Sequence, residues 1–199
     1  MNKGFLNVLL RSENTVFTFR ELMLIWEGIS QSTAISRVNY YVKTGQLIQL
    51  RRGIYAKDRN FNKFEFCTKI FKPSYISFET VLGIEGVIFQ KYSSIYLASY
   101  QTKEINSGND SFIFRKLNDR ILFNFEGIIN KGNYLIASKE RAFLDMLYID
   151  KDFYFDNIHS LNFEKITQLL RIYENKRMEK FANKILTKNV KKNEHTEIS

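Results

Sequence analysis

Nine of the side chains between residues 31 and 52 stand out as of types that bind nucleic acid. Gln31, Ser32, Thr33, Ser36, Arg37, Tyr40 and Lys43 fall within one short segment, and Arg51 and Arg52 stand just ahead of a glycine in GQLIQLRRGIYAKD. Hydroxyls, amides and a guanidinium can hydrogen-bond the edges of bases, and lysines and arginines neutralise phosphates. We assign base reading to Gln31, Ser32, Thr33, Ser36 and Arg37, and backbone contact to Tyr40, Lys43, Arg51 and Arg52. A second set lies near the other end. Arg177, Lys180, Lys184, Lys188 and Lys191 are spaced by 3, 4, 4 and 3 residues, which makes one basic stripe on a helix. Such a stripe contacts DNA, docks an acidic partner, or is a solvated helix face.

Other chemistry is poorly represented. There is no glycine-rich phosphate loop and no His/Cys ligand spacing. His159 and His195 are the only histidines, and Cys67 is the only cysteine, so neither an internal disulfide nor a cysteine-based zinc cluster can form. Asp145, Asp150 and Asp152 are types that hold Mg²⁺, but they fall at a helix end and in the loop after it. The expectation is a protein that is not an enzyme, with no metal and no cofactor.

The binding residues need elements to present them. Apolar Phe5, Leu6, Leu9 and Leu10 suit a first helix over residues 2–10. Thr18 followed by Glu21 is a capping box, and Phe17 with Leu22 a hydrophobic staple, so a second helix runs from Thr18 to about Trp26. Gly28 ends it and Ser30 caps a third. In that third helix Ala34, Ile35, Val38, Tyr41 and Val42 make the apolar face, and Gly45 closes it. The strands Leu47–Leu50 and Ile54–Ala56 follow, with Arg51–Gly53 at the tip. Helix, helix, turn, helix and hairpin is the order of a winged helix-turn-helix, whose third helix enters the major groove while the hairpin tip rides on the backbone.

Composition agrees with that order. The chain has 199 residues, 44% of them hydrophobic, with a formal net charge of +9, which favours an anionic partner. The excess is uneven: +4 over residues 1–58, +1 over 59–170 and +4 over 171–199. No stretch approaches the roughly 18 apolar residues of a membrane span, and no secretory leader is evident. A cytoplasmic protein with no membrane partner is expected.

From Asn62 the pattern changes. A helix over residues 62–71 is broken by Pro73, the only proline. Tyr75–Ile76 is extended, and Ser77 caps a helix to about Glu85. Residues 94–100, 111–117, 121–129 and 133–138 read as strands. Ser138 caps an amphipathic helix, with Arg141 and Asp145 paired across one turn, and further helices start at Asn162 and near Met178. The fold class is therefore α+β: a winged helix-turn-helix over residues 1–58, a mixed α/β domain ending in helices over 59–189, and a polar tail over 190–199.

Three segments carry a resemblance: LIQLRRGIYAK, YISFETVLGIEGVI and ASKERAFLDMLY. In order and spacing the chain resembles the AbiEi family, the antitoxins of AbiE abortive-infection (type IV toxin–antitoxin) systems. Ser138, Glu140, Arg141 and Ala142 match that family's Ser-x-Glu-Arg-Ala helix start. The resemblance implies a phage-resistance protein of two domains. The first would bind inverted repeats in its own promoter and repress transcription. The second would counteract a cognate nucleotidyltransferase toxin, without requiring a stable complex with it. The alternative is a standalone winged-helix regulator whose second domain senses a ligand or dimerises.

Overall fold

The computed structural model describes residues 4–182. The chain is α+β and divides into two compact units, Met1–Lys72 and Pro73–Ser199.

The first unit runs α1 (Gly4–Arg11), β1 (Val16–Thr18), α2 (Phe19–Ile25), α3 (Gln31–Lys43), β2 (Ile48–Arg51), β3 (Ile54–Ala56) and α4 (Lys63–Ile70). Helix α2 starts where its capping box requires. The Thr18 hydroxyl accepts from the Glu21 N–H, and the Glu21 carboxylate accepts from the Thr18 N–H. Ser30 caps α3 by accepting from the Thr33 N–H. Leu9, Phe17, Leu22, Trp26, Ala34, Val38, Tyr41, Leu47 and Tyr55 form one buried core, in which Trp26 Nε1 donates to the Phe5 carbonyl at 3.1 Å. The sheet is antiparallel in the order β1-β3-β2. Strand β1 was not expected; Val16 and Phe17 pair with Ala56 and Tyr55.

The boundary falls at Lys72–Pro73, not at residue 58, because α4 is bonded into the first unit. Glu65 on α4 accepts from both the Thr15 N–H and its hydroxyl, at 2.8 and 2.7 Å. Lys69, almost fully buried, donates to the Val16 carbonyl at 2.6 Å and pairs with Glu21 and Glu65 at 2.9 and 3.0 Å.

The second unit contains β4 (Ser74–Ile76), α5 (Phe78–Ile84), β5 (Ile95–Ser99), β6 (Lys103–Ser107), β7 (Asp110–Lys116), α6 (Asp119–Leu122), β8 (Ile128–Asn130), β9 (Leu135–Ala137), α7 (Lys139–Ile149) and α8 (Phe163–Leu170). Residues 176–182 are helical. The six-stranded mixed sheet has the order β6-β7-β5-β4-β9-β8, and α7 packs on α5 and α8.

The strand expected over residues 121–129 is not formed. Asn118 caps the short helix α6, and only Ile128–Asn130 pairs with β9. The cause is Arg141, fully buried on α7. Its guanidinium donates to the carbonyls of Ile121, Asn124 and Glu126 at 2.6, 3.2 and 2.8 Å, which turns that segment's backbone away from any ladder. Arg141 Nε donates to Asp145 at 3.2 Å, and Asp145 also accepts from Tyr75, Ser77 and Tyr173 at 3.0, 2.7 and 2.6 Å. Ser77 precedes α5 but makes no side-chain cap, because its hydroxyl is given to Asp145. These groups satisfy one another, as a buried ion pair requires. Burial, reinforced by the Asp145 charge, pushes the Tyr75 and Tyr173 hydroxyls well above their ordinary pKa.

Candidate nucleic-acid interface

Helix α3 buries Ala34, Val38 and Tyr41 and turns the opposite face to solvent. Gln31, Ser32, Thr33, Ser36, Tyr40 and Lys43 are all exposed, Tyr40 by 59%. Ile35, expected in the apolar face, is 45% exposed. It lies at that face's edge, where the core of the unit does not reach.

The residues directly opposite the core are Ser32, Ser36, Asn39 and Lys43. They recur at intervals of 4, 3 and 4 residues, which places them in one line along a helix, and all four are exposed. Asn39 is not among the nine residues singled out by type. The spacing that joins Ser36 to Lys43 runs through it, so the signal was present. An asparagine side chain can bond adenine with both its acceptor and its donor. At the start of the helix, the Ser30 hydroxyl is 2.9 Å from the hydroxyls of both Ser32 and Thr33.

Arg37 sits elsewhere. It is half-buried, and its guanidinium carbon is 4.1 Å from the centre of the Phe5 ring on α1. The cation is thus held on the flank of α3, off the outward line. Between α1 and α3 lies a depression of about 650 Å³. Leu6 and Asn7 of α1 form one wall and Thr33, Ser36, Arg37 and Tyr40 of α3 the other, with Tyr41 and Gln46 at the end.

The hairpin tip is built by a bulge and a glycine. The β2–β3 register shifts between Gln49 and Arg51, and Gly53 has φ +78°, a conformation that favours glycine. The Gly53 carbonyl accepts from the Phe19 N–H at 2.8 Å, tying the tip to the start of α2. Arg51 and Arg52 are both exposed there.

In the second unit Arg177 and Lys180 are exposed, while Lys184, Lys188 and Lys191 lie outside the described residues. Cys67 is buried and burial pushes its thiol pKa up. Asp145 belongs to the Arg141 network, and among the described residues no group of three or more His, Cys, Asp or Glu could hold a metal ion. Among the same residues no helix is long and apolar enough to cross a membrane. Compared with known proteins, the chain matches no family model and no curated sequence.

Proposed function

We propose that the first unit is a winged helix-turn-helix that binds duplex DNA, and that the protein is a transcriptional autorepressor and antitoxin. The observation that carries the DNA-binding half is the exposed line Ser32–Ser36–Asn39–Lys43 on a 13-residue helix, followed by a hairpin that presents Arg51 and Arg52. A helix in a major groove reads bases with its outward line, and arginines on a wing neutralise phosphates. The order helix–strand–helix–helix–strand–strand, with β1 completing the hairpin's sheet, supports this reading. Ser32, Ser36 and Asn39 then read base edges, and Lys43, Arg51 and Arg52 hold the backbone.

The antitoxin half rests on the resemblance to AbiEi proteins, carried by YISFETVLGIEGVI and ASKERAFLDMLY. The Arg141–Asp145 pair within the second segment is structural in this reading: it organises the second unit and offers no free charge to a ligand. The test is expression beside a nucleotidyltransferase encoded next to this gene. Restored growth supports an antitoxin. Undiminished toxicity, with repression of its own promoter intact, contradicts it and leaves a standalone regulator.

A further inference from the structure

We infer that the depression between α1 and α3 is a track for one strand of the DNA backbone, with Arg37, Asn7 and Gln46 as phosphate contacts rather than readers of bases. This rests on the DNA-binding reading above and extends it to a second helix, α1, and to a different role for Arg37.

A helix with its side chains is about as wide as the major groove, roughly 10–12 Å. Once seated, it has a sugar-phosphate strand along its flanks. The flank of α3 that meets α1 is concave and continuous with the outward line, because Ser36 belongs to both. Among the described residues the polar lining comprises the Arg37 guanidinium, the amides of Asn7 and Gln46, and the hydroxyls of Thr33, Ser36, Tyr40 and Tyr41, with no carboxylate. That set suits a phosphodiester, which offers only acceptors and a negative charge. Arg37 is held at that wall by packing. Its guanidinium rests on Phe5, so the cation is already fixed at the wall of the depression before DNA arrives. Reaching a base edge instead would require leaving that ring.

The experiment measures full-chain binding to the duplex upstream of its own gene and to a scrambled duplex, over a range of salt. Asn7 and Gln46 are exposed, so Asn7→Asp and Gln46→Glu add a charge at the track without disturbing the core. Each is expected to weaken both duplexes by the same factor, on the order of tenfold at low salt, with the loss shrinking as salt rises. Arg37→Gln is expected to lower the salt slope by about 0.9 while the ratio between the two duplexes is kept, and Arg37→Lys to restore the slope. Circular dichroism of each variant verifies the fold. Wild-type affinity in both acidic variants overturns the track. A collapse of the duplex ratio in Arg37→Gln shows that Arg37 reads bases and overturns its assignment. In both cases the wild-type protein still binds DNA and the parent reading stands. Failure of the wild-type protein to bind any duplex removes both.

Discussion

Two kinds of residue on the first unit are expected to fail differently. Arg51 and Arg52 are exposed on a two-strand tip, where they are proposed to meet phosphates. Replacing either with alanine should weaken binding to every duplex alike and reduce the salt slope by about 0.9. Ser36 and Asn39 are neutral and face outward. Asn39→Ala should leave the slope alone and cost about 1–3 kcal/mol of discrimination at one base pair. Binding titrations against a panel of single-base variants separate the two classes. In the second unit the decisive residue is Arg141. Its side chain and that of Asp145 are both 0% exposed, and removing one partner strands the other in the interior. Arg141→Met should destabilise the protein by about 3–5 kcal/mol, and the double variant with Asp145→Leu by less than the sum of the singles. Urea midpoints monitored by circular dichroism test this. Full stability in Arg141→Met would mean that the guanidinium does not organise the 121–126 backbone.

The elements show why some of this was legible in the sequence and some was not. Helices announced themselves through caps: Thr18, Ser30, Asn62, Ser138 and Asn162 each stand at a helix start and accept from its first turn. Cap chemistry is local, and three or four residues suffice to state it. What escaped was decided at long range. Strand β1 is three residues, Val16–Thr18, whose partners are the distant Ile54–Ala56. Strand β6, KEINS, has almost no apolar alternation because it is an edge strand, exposed along much of its length. The apolar run over 121–129 reads as strand until a guanidinium on a distant helix takes its carbonyls. In the first unit, the exposure of the polar side of α3 and of the hairpin arginines was legible, whereas the stacking of Arg37 on Phe5 needed the packing of α1.

Helix α4 gives the element-scale prediction. Because Glu65 and Lys69 bind Thr15, Val16 and Glu21, a fragment of residues 1–72 should unfold cooperatively, and one of residues 1–58 should not. Glu21 adds a pH signature. Burial raises its pKa, but the Thr18 N–H and the ammonium of Lys69 outweigh burial and hold it below its ordinary value. A depressed carboxylate contributes stability above its unfolded pKa and loses it as pH falls through the folded one. Wild type should therefore exceed Glu21→Gln in stability at neutral pH, with the gap closing on acidification. A gap that is constant with pH would contradict the ionic role of Glu21.

On the scale of the whole molecule, charge and division of labour agree. Residues 1–58 and 171–199 each carry +4 while the stretch between them carries +1, so the excess is concentrated in the unit proposed to bind DNA and in the basic C-terminal stretch. The basic residues Arg177 and Lys180 are exposed and make a prediction of their own. Replacing both with glutamine should reduce the salt dependence of DNA binding if the stripe meets phosphate, and leave it unchanged if the stripe is a solvated helix face. Reading of its own promoter is the function proposed for the first unit. It is tested most directly by the affinity for the upstream duplex relative to a scrambled one, at about 50 and 200 mM salt. A preference of roughly a thousandfold or more that persists at the higher salt is expected. Equal affinities that vanish together at the higher salt would reduce α3 and its hairpin to a basic surface and contradict it.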